Sequence, residues 1–165
     1  MDKQKSIDLL NAAVGDELQA IHQYMYFHFH LDDQGFGPLA MLFKRTAIEE
    51  MGHVELLAER ILFLKGDVDM TPTGPVENIT NPEDMVKKAT AMEEGSATDY
   101  NKAALACSAN ADSASKQIFE GLVADEERHF NQFDQQLDNI KRFGPNYLAL
   151  QSFSGPADAG GQAPA

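Results

Sequence analysis

The four-residue words Glu50-Met51-Gly52-His53 and Glu126-Glu127-Arg128-His129 share one pattern, Glu-x-x-His. Residues three apart on an α-helix stand one turn from each other on the same face, so each word aims a carboxylate and an imidazole at one point. Carboxylate oxygen and imidazole nitrogen together are ligands for divalent metals. Glu17 precedes Glu50 by 33 residues and Glu93 precedes Glu126 by the same 33, so the chain reads as two halves, each with the order Glu, then Glu-x-x-His.

The elements that must position these residues are legible from hydrophobic periodicity. A first helix carries the stripe Ile7, Leu10, Val14, Glu17, Ile21, Tyr24 and Leu31. A second carries Leu39, Phe43, Thr46, Glu50, His53, Leu57, Ile61 and Leu64; the third, the weakest, carries Val86, Ala89, Glu93, Ala97, Tyr100, Ala104 and Cys107; the fourth carries Phe119, Leu122, Glu126, His129, Phe133, Leu137 and Ile140. In every stripe the candidate ligand falls on the apolar side, where a core residue belongs. Four carboxylates facing one core would repel each other, and each would cost several kcal/mol to bury unpaired. A pair of divalent cations removes that objection.

Start and stop signals bound these helices. The first is expected from Ser6 as N-cap to about Asp33 before Gly35, the second from Pro38 to Lys65 with Gly66 as its stop. The third opens at Asn81-Pro82 with Glu83 and Asp84 in its first turn and runs to about Asn110; the fourth runs from Asp112 or Ser113 to Phe143, before Gly144-Pro145. A short apolar piece, Asn146 to Phe153, is expected to form a fifth helix. Short links make the first and second, and the third and fourth, antiparallel neighbours. The connection from Gly66 to Thr80 reaches on the order of 45 Å when extended, enough to cross the bundle and leave the second and third helices parallel.

Length and composition limit the alternatives. At 165 residues the chain makes one domain, expected over 1–153, with a disordered Gly/Ala/Pro-rich tail over 154–165. The single cysteine, Cys107, excludes a disulfide framework within the chain and reads as a small buried apolar residue. Met1 to Lys5 lead into an amphipathic helix with no long apolar run, which points away from a secretion signal or membrane span and toward the cytoplasm. A formal charge of −13 without a basic stripe argues against nucleic acid and suits cations as partners.

Beyond the ligand words, the run Glu59-Arg60-Ile61-Leu62-Phe63-Leu64-Lys65-Gly66, the pair Glu17 and Tyr24, the segment Asp125-Glu126-Glu127-Arg128-His129 and the ending Gly144-Pro145-Asn146-Tyr147-Leu148 together resemble the bacterioferritins. The resemblance implies an all-α, ferritin-like four-helix bundle of two antiparallel hairpins with a long crossover and a short fifth helix. Carried over residue by residue, it implies that Glu50 and Glu126 bridge two irons, with Glu17 and His53 completing one and Glu93 and His129 the other. Glu94 competes with Glu93 for the third-helix place; the equal offset and the face shared with Tyr100 favour Glu93. Tyr24 would be a hydrogen-bond partner of the ligands or an electron source, although Tyr24 and Tyr100 also read as ordinary core aromatics.

The same resemblance implies a ferroxidase, in which Fe(II) is oxidised with O2 or H2O2 and the product is stored as mineral inside a hollow shell of 24 subunits built from dimers. It also implies haem b shared between two subunits through Met51, and a ferredoxin-type reductant for iron release. Met51 follows Glu50 by one residue and so turns about 100° away from the metal face; without the resemblance it reads as an interface filler. His22 stands where these proteins usually carry an amide. The nearest alternative is a rubrerythrin-like di-iron peroxidase, in which Glu94 would be an added ligand, but that family usually adds a module with paired Cys-x-x-Cys motifs, absent here. A DNA-protecting dodecamer is disfavoured by the charge, and a haem-binding bundle without a working di-iron site is the remaining rival.

Overall fold

The computed structural model describes residues 1–153. Five helices follow in order: α1 (Lys3–Asp33), α2 (Gly37–Phe63), α3 (Pro82–Ala109), α4 (Ser113–Phe143) and α5 (Pro145–Leu150). α1 packs along α2 and α3 along α4, and the two hairpins close into a four-helix bundle. None of these helices is long and apolar enough to cross a membrane. The expected tail over 154–165 lies outside the described residues.

Helix ends differ from the sequence expectation in three places. α1 begins one turn early because Asp2, not Ser6, is its N-cap: the Asp2 carboxylate accepts from the backbone N–H of Gln4 and Lys5. Ser6 is instead buried inside the helix, its hydroxyl accepting from Asn110 Nδ2 at 3.0 Å. α2 stops at Phe63, and the left-handed residue that ends it is Lys65 (φ 69°), not Gly66; Gly66 N–H donates back to Ile61 O at 3.0 Å. Gly66 serves close packing, since a Cβ there would lie 2.8 Å from Ile7 Cδ1. The fifth helix starts at Pro145 and ends at Leu150, shorter than the segment anticipated. Asn81 caps α3 and Asp112 caps α4 through side-chain bonds to Asp84 N–H and Ser115 N–H. Arg60 pairs with Asp112 at 2.6 Å, joining α2 to the start of α4.

The crossover from α2 to α3 is strapped to the outer face of α1 by side-chain amides. Asn11 donates to Asp67 O and accepts from Asp69 N–H, Gln19 donates to Pro75 O and accepts from Gly74 N–H, and Gln23 donates to Glu77 O and accepts from Glu77 N–H. Gln34 donates to Thr80 O, and Thr73 N–H bonds Gly15 O at 3.0 Å. Gly15 permits that approach, because a Cβ there would meet Thr73 Oγ1 at 2.9 Å. Between Asn11 and Gln34 the helix rises about 35 Å at 1.5 Å per residue, so the strap carries the chain from one end of the bundle to the other. α2 and α3 therefore run parallel, as two hairpins with one long crossover require.

The apolar interior falls into two clusters. One gathers Leu10, Val14, Leu57, Ile61, Tyr100, Phe119 and Leu122; the other gathers Tyr24, Phe27, Leu31, Leu39, Phe43, Met85 and Phe133, with the rings of Phe43 and Phe133 4.9 Å apart. Cys107 is buried in the first. Replacing Gln23, fully buried with two bonds to one backbone unit, by Ala should remove about 2 kcal/mol and lower the thermal midpoint by about 4–8 °C. A midpoint within a degree of wild type would show that the strap does not hold the crossover.

Candidate metal centre

Between the two apolar clusters lies a polar layer. Glu17 comes from α1, Glu50 and His53 from α2, Glu93 from α3, and Glu126 and His129 from α4, all buried. Ligand atoms of Glu17, Glu50, His53 and Glu126 lie within 4.8 Å of one another, and so do those of Glu50, Glu93, Glu126 and His129. Glu50 and Glu126 belong to both groups. His53 Nδ1 is 2.7 Å from Glu50 Oε2 and 3.3 Å from both Glu17 Oε1 and Glu126 Oε1. His129 Nδ1 is 3.0 Å from Glu50 Oε1 and 3.5 Å from Glu93 Oε2. The two imidazoles stack with centroids 5.9 Å apart.

Close approach is not the same as hydrogen bonding here. Both oxygens of Glu50, one each of Glu93 and Glu126, and Nδ1 of His53 and His129 are buried without an aligned hydrogen-bond partner. Buried polar atoms are otherwise almost always satisfied. Oxygen and nitrogen atoms that converge on two points without aligned partners fit a pair of metal ions.

The electrostatics say what the same layer does without metal. Burial pushes Glu17 up to about 8 and Glu126 up to about 10, with the charge of Glu50 adding to both rises against the pull of His53. Glu50 goes the other way: burial would raise it, but the imidazoles of His129 and His53 hold it down to about 2. Burial also opposes the charged form of each ring, and the surrounding carboxylates outweigh it, raising His53 and taking His129 to about 11.

A second ring of residues orients the first. Tyr100 OH donates to Glu17 Oε1 at 2.8 Å, and Tyr24 OH donates to Glu93 Oε1. Tyr24 thus reaches across the bundle to the third helix rather than along its own helix to Glu17. Burial and nearby carboxylates raise both phenols well above their ordinary range, so they stay neutral donors. The outer nitrogen of each histidine meets an acid from the other helix: His53 Nε2 is 3.3 Å from Asp125 Oδ2, and His129 Nε2 is 2.8 Å from Glu49 Oε2. Once a ring gives up one of its two protons, an Nε2–H donating outward leaves the Nδ1 lone pair facing the carboxylates.

Glu49 and Asp125 in this role were not anticipated from the sequence. The signal was present, because each word is really five residues long: Glu49-Glu50-x-x-His53 and Asp125-Glu126-x-x-His129. Counterparts throughout the centre lie 76 positions apart: 17 and 93, 24 and 100, 49 and 125, 50 and 126, 53 and 129. Glu94 is exposed on α3, lining a groove with Glu127 of α4, and the structure does not bring it to the centre. Met51 is 54% exposed on the outer face of α2, and His22 is exposed on α1.

A family model for the ferritin-like domain matches residues 7–143. Among curated proteins, the bacterioferritin of Rhodobacter capsulatus is 36% identical over 156 residues, covering 94% of this chain and 96% of its own. That of Desulfovibrio desulfuricans is 34% identical, covering 89% and 82%. The solved structure of the Rhodobacter protein, described with a metal-free dinuclear site and a haem iron, superposes with a TM-score of 0.88 at 34% identity over 96% of this chain and 98% of that one. The Desulfovibrio structure, described with a di-iron site in different catalytic states, gives 0.89 at 33% identity over 96% and 95%. On sequence along nearly its whole length and on the path of all its long helices, the chain belongs to the bacterioferritins, within the ferritin-like family.

Proposed function

We propose that this chain stores and detoxifies iron by oxidising two Fe(II) ions at the buried layer with O2 or H2O2, and that the Fe(III) product accumulates as mineral inside a hollow shell of 24 subunits built from dimers. The observation that carries the reading is the sharing of Glu50 and Glu126 by both ligand groups. Bridging carboxylates hold two metal ions at a fixed spacing, with Glu17 and His53 completing one position and Glu93 and His129 the other. Tyr100 and Tyr24 hold Glu17 and Glu93 in place, and Tyr24, packed against Phe43 and Phe133, is the nearest oxidisable ring to Glu93. The apolar clusters on either side keep bulk water from the layer. The solved relatives, described with dinuclear and haem sites, support the assignment for this chain.

Haem b would be held between two subunits by Met51, whose exposure on α2 leaves its sulfur free to meet a second copy. Leu18, Ile21 and Met25 on α1 are the partly buried apolar residues offered for the porphyrin. The exposed Leu150 of α5, with Phe153 just beyond it, suits the short C-terminal segment to packing within a shell. A cytoplasmic setting and a ferredoxin-type reductant for iron release complete the proposal. The peroxidase alternative loses its added ligand, since Glu94 faces solvent.

Glu126→Gln removes one bridging charge and should abolish rapid Fe(II) oxidation, followed as ferric absorbance after mixing with O2 or H2O2. Oxidation at the wild-type rate would overturn the bridging role. The metal-free variant should be as stable as wild type or more so.

Proton balance gives a second outcome. At pH 7 the metal-free layer keeps protons on Glu17, Glu126, His53 and His129, and each must leave for its atom to ligate. Loading two divalent ions in weak buffer should therefore release up to four protons per chain, and apparent affinity should rise with pH. Proton-neutral uptake in a pH-stat would contradict the protonation pattern. The sign for stability is the reverse. Folded-state values raised above the unfolded ones mean that the native state binds more protons, so metal-free protein should lose stability as pH rises from about 5 to 9.

Met51→Leu should remove the haem absorption bands while leaving iron oxidation largely intact, because Met51 and Glu50 project from different sides of α2. An unchanged haem spectrum in that variant would make His22 the first candidate ligand.

A further inference from the structure

Arg128 is the third residue of the second Glu-x-x-His word, on the side of α4 that faces solvent, and no role is required of it by the ligand set. Its Nη2 donates to Glu49 Oε2 at 2.7 Å and to Asp125 Oδ1 at 3.0 Å. These are the two carboxylates that hold the outer nitrogens of His129 and His53. An unbroken chain of contacts therefore runs from His53 through Asp125, Arg128 and Glu49 to His129, with one guanidinium nitrogen at its centre. We propose that Arg128 is a positioning residue common to both metal positions, holding through these two acids both imidazoles with Nδ1 turned toward the carboxylate layer.

Three observations carry this, and it rests on the two-metal reading above. First, Glu49 and Asp125 are more than two-fifths exposed, so water competes for both carboxylates, and a shared cation keeps them facing the rings. Second, one nitrogen draws the two acids close together, and without a positive charge between them they would repel and turn apart. Third, the two-fold likeness of the halves fails here: the counterpart of Arg128 is Gly52, where an added Cβ would meet nothing within 4 Å. The first half supplies no cation of its own, so one arginine serves both histidines, and loosening it must disturb both metal positions together.

The probe is Co(II) titrated into metal-free protein, followed by its visible absorption and fitted to two sites. High salt screens the simple gain in attraction that follows from removing a positive charge near the centre. Outer partners of metal-bound histidines are worth about 10- to 100-fold in affinity, and Arg128 acts one contact further out. Arg128→Gln should weaken both positions by about tenfold each, and Arg128→Lys should recover most of the loss, since an ammonium can still bridge the two acids. Thermal unfolding of the metal-free variants identifies a purely structural staple: a lowered midpoint with both Co(II) constants unchanged overturns the proposal. Loss at one position alone overturns it as well. A wild-type chain that takes up fewer than two Co(II) ions would instead overturn the two-metal reading, and the role of Arg128 with it.

Discussion

The structure depends on one electrostatic constraint: four carboxylates and two imidazoles must share a dry layer across the middle of a helical bundle. Buried atoms of Glu50, Glu93, Glu126, His53 and His129 lie there without an aligned hydrogen-bond partner. A low-dielectric interior magnifies that conflict. The metal-free layer relieves part of it by keeping protons on Glu17 and Glu126 and on both rings. The atoms left without partners are those that a pair of metal ions would satisfy.

Such a layer interrupts the hydrophobic core, and the rest of the fold compensates. Each flanking cluster is dense in large side chains, with Tyr24, Phe27, Phe43 and Phe133 on one side and Tyr100, Phe119, Leu57 and Ile61 on the other. The two tyrosines belong to both worlds, with rings in the apolar clusters and hydroxyls on the ligands. Each half of the chain gives its tyrosine and its outer acid to ligands of the other half: Tyr24 serves Glu93, Tyr100 serves Glu17, Glu49 serves His129 and Asp125 serves His53. A displacement of one hairpin against the other therefore breaks several contacts at once.

Much of this was legible in the sequence because a buried ligand on a helix leaves two marks together: a charged residue inside an apolar stripe, and a fixed spacing to its partners. Glu17, Glu50, His53, Glu93, Glu126 and His129 carried both marks, and the structure brings all six together. The fold class followed from the same stripes and from the length of the Gly66–Thr80 connection. What escaped was of another kind. Ser6 looked like a cap because hydroxyls commonly are, but Asp2 stood four residues earlier and Ser6 was wanted for a contact with Asn110. The left-handed turns at Lys65 and Ala111 fall on residues that do not advertise that conformation. That Tyr24 would meet Glu93 on α3 was not legible, because spacing reports only neighbours on one helix. The pairings of Glu49 and Asp125 lie between helices distant in sequence, where periodicity is silent.

The strap across α1 has a consequence for the conditions the protein tolerates. Its main anchors, Asn11, Gln19, Gln23 and Gln34, are amides bonded to backbone, and none carries a charge. In a chain of net charge −13, most surface pairings weaken as counterions accumulate. These four amide anchors are indifferent to counterions and do not titrate in the ordinary range, whereas the Thr73 hydroxyl on the Asp16 carboxylate and the Lys88–Glu77 pair along the same strap do involve charge. The level at which one hairpin meets the other, and so the alignment of the two halves of the polar layer, is tied chiefly to amide contacts that neither acidification nor concentrated electrolyte erodes directly.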